Sequence, residues 1–356
     1  MPTKNQALIF SKIPEDFPVP GEHLTIKDVG FDLDQELPPN SLILETQYVS
    51  FDPYLRGMLR DPSVKSYSPA FPLDSPIIAG SLAKVLKSSL DGYKEGDIVR
   101  HSLPVREYNL FSQTSEKQPT PIKLDLSTAP DDIRHFLGAL GMPGLTAYSS
   151  LYEIGKPQKG EIIFVSSAAG AVGQLVGQLA KHEGLTVLGS VGSDDKLDFI
   201  INELGFDGGW NYKKTNGKST HEILTDLTKG KGIDIFYDNV GGEQLQGAIE
   251  SLNVFGRIVA SGQISQYNLP PEKRYPITNS FLTIVRRLTW TGFLVSDANM
   301  GPVHAKAHRE NVSKWLKDGS FKAKIHETVG IENAAEAFVG MLRGDNFGKA
   351  VLKVKA

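Results

Sequence analysis

A chain of 356 residues, 40% hydrophobic and 22% charged, is longer than one ordinary hydrophobic core and predicts two domains. It contains no cysteine, which excludes disulfides, thiol catalysis and thiolate metal sites and points to a reducing, cytoplasmic setting. Its net charge of −3 is spread over mixed-sign segments, so no nucleic-acid partner is expected, and no apolar run is long enough to predict a membrane partner. The opening stretch from Met1 to Pro14 lacks the basic region and apolar core of a secretory signal.

In chain order, the first 125 residues read as short strands and turns. Runs at Ala7–Phe10, Ser41–Val49, Ile77–Leu86 and Asp97–Leu103 are separated by Pro-, Gly- and Asp-rich connections. The character changes near Asp131, where a helical stretch opens. A helix over Gly144–Ile154 is followed by strands at Glu161–Ser166 and Thr186–Gly189, with a helix over Gly170–Glu183 between them. Further helices are expected at Asp194–Glu203, Thr220–Thr228 and Gly242–Leu252, and further strands at Gly208–Asn211, Ile233–Asp238, Gly256–Ser261 and Leu288–Phe293. Such alternation predicts a parallel sheet with helices on both faces. The helix His304–Asp318, the strand Ile325–Val329, the helix Ile331–Leu342 and the strand Lys349–Val354 close the chain. That tail is short for a core of its own and is expected to return to the first domain. The expected domains are therefore 1–130, 131–300 and, completing the first, 301–356.

The strongest local signal runs from Ile162 to Gly173, where an apolar strand enters small residues and then an apolar helix. Ala168, Gly170, Ala171, Val172 and Gly173 would form a turn that brings backbone amides and a helix N-terminus to a pyrophosphate. Ala168 stands at the first glycine of the usual G-x-G-x-x-G pattern, so the βα context carries the assignment. After the next strand no acid appears before Asp194, whereas NAD sites often place one at the strand end to hold the ribose. A 2′-phosphate would fit over Gly189–Gly192, with a hydroxyl from Ser190 and positive charge from Lys196; the expected cofactor is NADP. Tyr212 either lies beside that phosphate or packs in the core. Asn239, at the end of the strand Ile233–Asp238, contacts the nicotinamide ribose or forms a turn.

None of the eight histidines forms an H-E-x-x-H motif, and no metal site is expected. There is no G-x-S-x-G nucleophile elbow, and Asp131-Asp132 and Asp194-Asp195 read as helix starts. Redox chemistry organised by a cofactor remains. Tyr54 and Tyr267 sit in distinctive settings, Phe51–Gly57 and Ser265–Asn268, and the residues alone leave site and packing roles open for both.

Together, FDPYLRGML, GDIV, MPGLTAYSSLYEIGKPQKGEIIFVSSAAGAVGQLVGQLAK, GIDIFYDNVGG, GRIVASGQISQYN and NFGKAVLKV resemble the medium-chain dehydrogenase/reductase superfamily. The closer resemblance is to its zinc-independent branch of alkenal double-bond reductases and prostaglandin reductases. It implies an α/β fold: a Rossmann-type doubly wound parallel sheet domain inserted into a GroES-like β-rich substrate domain. It also implies NADPH held by Lys196, Tyr212, Asn239 and Asn346, a substrate site bordered by Tyr54 and Tyr267, and a homodimer. The implied reaction reduces the carbon–carbon double bond of an enal or enone. A quinone or carbonyl reductase is the nearest alternative, and an NADPH-binding protein without turnover is a second. The loop Asp61–Leu73 and the polar stretch Phe111–Pro121 depart from the family pattern.

Overall fold

The computed structural model describes residues 3–126 and 131–355, so the expected boundary after Pro130 lies outside the described residues. The chain divides into two units, Met1–Leu137 with Ile325–Ala356, and Gly138–Lys324.

The first unit is built on strands β1 (Gln6–Phe10), β2 (Leu24–Asp28), β3 (Ser41–Ser50), β4 (Ser75–Pro76), β5 (Ile78–Ser88), β6 (Ile98–Pro104), β7 (Tyr108–Ser112) and β8 (Ile122–Lys123). β3 is its backbone, pairing antiparallel with both β5 and β7, and β5 pairs on with β6. β2 and β7 were not expected from the sequence. They are five residues each and mix apolar with polar positions, so their pairing rather than their pattern defines them. The turn Ile133–Leu137, expected to open the second domain, stays in the first unit: Arg134 Nη1 meets Glu327 Oε2 at 2.6 Å.

The second unit alternates helix and strand: α1 (Met142–Ser150), β9 (Ile162–Val165), α2 (Gly173–His182), β10 (Thr186–Val191), α3 (Asp194–Asp198), β11 (Gly208–Asn211), α4 (Thr220–Thr228), β12 (Ile233–Asp238), α5 (Gly242–Ser251), β13 (Leu252–Ala260), α6 (Leu282–Val285), β14 (Thr289–Gly292) and α7 (Gly301–Lys317). Its six strands lie in the order β11-β10-β9-β12-β13-β14, and every pairing is parallel. Phe164 on β9 stacks between Phe236 and Trp210, at 4.8 and 4.9 Å, which joins three strands into one core. α4 starts where Ser219 and Glu222 form a reciprocal capping box. Sheet order reverses direction between β9 and β12, and the ends of those two strands are where an open α/β sheet offers a crevice.

α7 packs on α1, in the second unit, rather than with the C-terminal segment as expected. His308 Nε2 contacts Ala139 O at 2.8 Å, His304 Nε2 contacts Glu153 Oε1 at 2.7 Å, and Asn311 donates to the Tyr148 hydroxyl. The two histidines therefore serve separate partners. The connection beyond α7 is also gripped. Gln174 on α2 donates to the carbonyl of Lys324 and accepts its N–H, and Gln178 does the same for Lys322. These contacts carry the boundary from the expected residue 300 to Lys324.

β15 (Ile325–Val329), α8 (Ala334–Arg343) and β16 (Lys349–Lys353) return to the first unit, where β16 pairs antiparallel with β3 and parallel with β15. Phe51, Phe338 and Leu352 meet there in its core.

Candidate active site

The turn after β9 is tight because a helix starts almost on top of the strand end. A Cβ at Gly173, the first residue of α2, would lie 2.3 Å from Ser167 O and 2.9 Å from Ala168 Cα. Only glycine allows that approach. Ser167 accommodates the bend with φ 52°. Ala168 is fully buried, and its N–H donates to Ser190 O at 2.9 Å. Its methyl occupies the space over Gly189, where a Cβ would come within 2.7 Å of it. The alanine that replaces the first glycine of the pattern is thus matched by a glycine on the next strand. Gly170, Ala171 and Val172 are half-buried along the rest of the turn, at the N-terminus of α2. This cradle of close backbone and helix N-terminus fits a pyrophosphate.

At the end of β10 the structure differs from expectation at Ser190. That side chain is fully buried, and its hydroxyl donates to Gln244 Oε1 of α5 at 2.7 Å, so it is turned into the unit. The sequence reading reached Gly192 in the turn beyond it but not Ser193. Gly192 lies against Tyr212, where a Cβ would meet the phenol oxygen at 3.0 Å. Ser193 caps α3 with a long 3.4 Å bond from Lys196 N–H. Lys196 is half-buried on that helix, and Tyr212 is 42% exposed, its N–H bound to Val191 O at 3.0 Å. Asp194, the first acid after the strand, already accepts from Asn211 at 2.8 Å and pairs with Lys214.

The end of β12 is knotted to the end of β9. Ser166 Oγ accepts the Asn239 N–H at 2.8 Å, and the Asn239 side-chain amide donates to Ser166 O at the same distance. Asp238, fully buried, accepts the N–H groups of Val240 and Gly241 through Oδ1 at 3.0 and 2.7 Å. Oδ2 has no partner. Burial pushes this carboxyl up to about 6, against the pull of the Gly241 and Val240 N–H groups. The same knot reaches Tyr267: Ile264 N–H donates to Asn239 O, and the Tyr267 phenol accepts Gln263 N–H at 3.0 Å.

In the first unit, Tyr54 is 36% exposed on the Pro53–Met58 turn. Burial raises its pKa, helped by the Asp52 carboxylate and by Tyr67, so it is a neutral phenol at ordinary pH. Tyr67 was missed by the sequence reading because its loop lacks periodicity. The loop is ordered by Arg60, which donates to Gly57 O, Val64 O and Ser68 O. Arg56 is buried and donates to the carbonyls of Pro14, Asp16 and Leu59. Asn346 donates to Gly348 O at 2.6 Å and lines a cleft of about 330 Å³ with Phe51, Thr328 and Met341.

Among the described residues no group of three His, Asp or Glu side chains is placed to hold a metal ion, and no helix is long and apolar enough to cross a membrane. Residues 171–309 match the family model of zinc-binding dehydrogenases, and residues 8–119 match the N-terminal domain of oxidoreductases. The chain is 45% identical to the NADP-dependent oxidoreductase RED1 of Cochliobolus heterostrophus, over 99% of this chain and 98% of that protein. It is 36% identical to the 2-alkenal reductase (NADP(+)-dependent) of Nicotiana tabacum, over 98% and 97%. The crystal structure of CurA from Vibrio vulnificus in complex with NADPH superposes with a TM-score of 0.86 at 29% identity, covering 99% of each chain. The chain belongs to the medium-chain dehydrogenase/reductase family of oxidoreductases, in its zinc-independent branch.

The Asp238 carboxyl yields a signed prediction. Its folded pKa, about 6, lies above the unfolded value near 3.8, so the folded state holds the extra proton between those limits. Its contribution to stability falls as pH rises through that window and is level above it. Asp238→Asn does not titrate, so the variant's melting temperature relative to wild type should rise between pH 4.5 and 7.5, by about 2 kcal/mol of stability. A pH-independent difference between the two melting curves would contradict a neutralised buried carboxyl.

Proposed function

We propose that the protein is an NADPH-dependent reductase of the carbon–carbon double bond of α,β-unsaturated aldehydes and ketones. The observation that carries this reading is the knot at the ends of β9 and β12, which holds Asn239 and the Tyr267 phenol beside the Gly173 turn. The similarity to the tobacco 2-alkenal reductase and to CurA in its complex with NADPH supports it.

The pyrophosphate would rest on the N–H groups of Ala171, Val172 and Gly173, with Ala168 and Gly170, whose N–H donates to Ser167 O at 2.9 Å, supporting the turn. The 2′-phosphate would lie at Gly192–Ser193, facing Lys196 and Tyr212, with Ser193 in the part expected of Ser190. Asn239 spends one of its two side-chain N–H groups on Ser166, so a ribose hydroxyl would meet its second N–H or its Oδ1. Asn346 is the cofactor contact proposed from the first unit. When bound, NADPH supplies hydride to the β-carbon of the substrate. Charge then moves to the carbonyl oxygen, and a hydrogen bond from the Tyr267 phenol stabilises the enolate-like oxygen. A proton reaching the α-carbon completes a saturated carbonyl compound. Tyr54 is a second phenol for the substrate side, held neutral by its surroundings.

A homodimer is proposed through the free edge of β14. Among the described residues that strand has β13 as its one neighbour, and around it Phe255, Phe281, Ile284, Val285 and Trp290 are between 40% and 79% exposed. An apolar sheet edge of this kind suits a second copy added across a two-fold axis. Sedimentation should give twice the chain mass for wild type and the monomer mass for Ile284→Glu; a monomeric wild type would end the proposal.

NADPH consumption on short enals, aryl enones and quinones, with product identification, tests the reaction. Saturated carbonyl products are expected, whereas alcohol or hydroquinone would favour the quinone or carbonyl reductase. Tyr267→Phe should lower turnover about 10- to 1000-fold without a matching loss of NADPH affinity; an unchanged rate would remove its role as donor. Lys196→Ala should weaken NADPH about tenfold or more while leaving NADH nearly unchanged. Equal losses for both cofactors would exclude a dedicated phosphate contact.

A further inference from the structure

The first unit buries an ion pair that packing does not require. Lys349, the first residue of β16, has 2% of its side chain exposed, and Asp52 has 8%. The Lys349 ammonium donates to Phe51 O at 2.6 Å and to Asp52 Oδ1 at 3.0 Å, and the Ser50 hydroxyl donates to Asp52 Oδ2 at 2.5 Å. Removing two charges from water is costly, and apolar side chains of similar volume often fill such a place with no loss of stability. Burial accordingly lowers the pKa of Lys349, and Asp52 opposes the shift.

What an apolar pair could not supply is direction. Lys349 follows Asn346 by three residues, and the intervening turn is closed by the bond from Asn346 Nδ2 to Gly348 O. Asp52 precedes Tyr54 by two, and its carbonyl accepts the Leu55 N–H at 3.1 Å as the turn begins. The pair spans 297 positions of sequence, so one ammonium group joins the segment that bears Asn346 to the turn that bears Tyr54. Backbone pairing continues the link, with Phe51 N–H on Ala350 O at 3.2 Å. Phe51 itself is locked edge-on against Phe338, with ring centres 5.6 Å apart. Its carbonyl therefore offers the ammonium group a fixed acceptor beside the carboxylate.

We propose that Lys349 is a positioning residue whose ammonium group, held between Phe51 O and the Asp52 carboxylate, sets Asn346 and Tyr54 in register for cofactor binding and reduction. This rests on the roles assigned above to Asn346 and Tyr54.

The test compares Lys349→Met with the double variant Lys349→Met/Asp52→Leu. The single variant strands a buried carboxylate, and both its melting temperature and its kcat/KM should fall. The double variant removes both charges, so the melting temperature should return to that of wild type. NADPH affinity, read by fluorescence titration without substrate, and kcat/KM for an enone should nevertheless stay about 10- to 100-fold below wild type. A double variant with both wild-type stability and wild-type affinity and kcat/KM would make the pair a packing device and overturn the proposal. Ser50→Ala gives a second reading should the double variant not fold, because it frees the carboxylate to rotate while keeping both charges. A raised enone KM at unchanged melting temperature is then expected, and an unchanged KM would overturn the proposal. A wild type that binds NADPH but reduces no enone would defeat the proposed reaction instead, and the affinity comparison would still decide the role of Lys349.

Discussion

The start of α2 lies against the end of β9 because residue 173 has no side chain, and much of the second unit follows from that contact. With Ser167 O only 2.3 Å from where a Cβ would stand, the helix axis begins at the strand end. The neighbouring positions adjust to the same closeness. Ala168 fills the room left by Gly189, and Ser166 reaches across to Asn239. A wider turn would detach these links together, since each depends on strands β9, β10 and β12 ending at one level.

Charged groups in both units are used mainly to fix backbone. Arg56 gathers three carbonyls, Asp238 gathers two N–H groups, and Lys349 joins a carbonyl to a carboxylate. Each sits within two or three residues of a side chain assigned to ligand or substrate. Burial in a low-dielectric setting makes such bonds directional and expensive to break, which suits turns that have no sheet or helix to hold them. The phenols at Tyr54 and Tyr267 are thereby mounted on segments stiffer than ordinary loops.

Much of this was legible from the residues. The repeating strand and helix signals of the second unit reflect buried apolar strands and amphipathic helices, whose local periodicity survives in the sequence. The helix expected over Thr220–Thr228 is α4 with the same bounds, and its capping box of Ser219 and Glu222 is a local device. By contrast, β7 exists through its pairing with β3, far back along the chain, and α7 chose α1 through contacts that no local pattern records. Ser190 shows the same limit at the site. Its position after β10 was readable, but the direction of its side chain depends on Gln244, over fifty residues away. Arg56 and Lys349 are buried against carbonyls and a carboxylate that only the fold brings to them.

The grip of α2 on the connection after α7 has a consequence for how this chain can diverge. Gln174 and Gln178 engage only main-chain N–H and C=O groups of Lys322 and Lys324, much as a neighbouring strand would. Recognition of that kind is blind to side-chain identity. The linker can accumulate substitutions at both lysines while its path is preserved, provided that neither becomes proline, which has no N–H to give. Mutational tolerance and conformational constraint therefore coincide in one short segment, with the constraint encoded in two glutamines some 150 residues upstream.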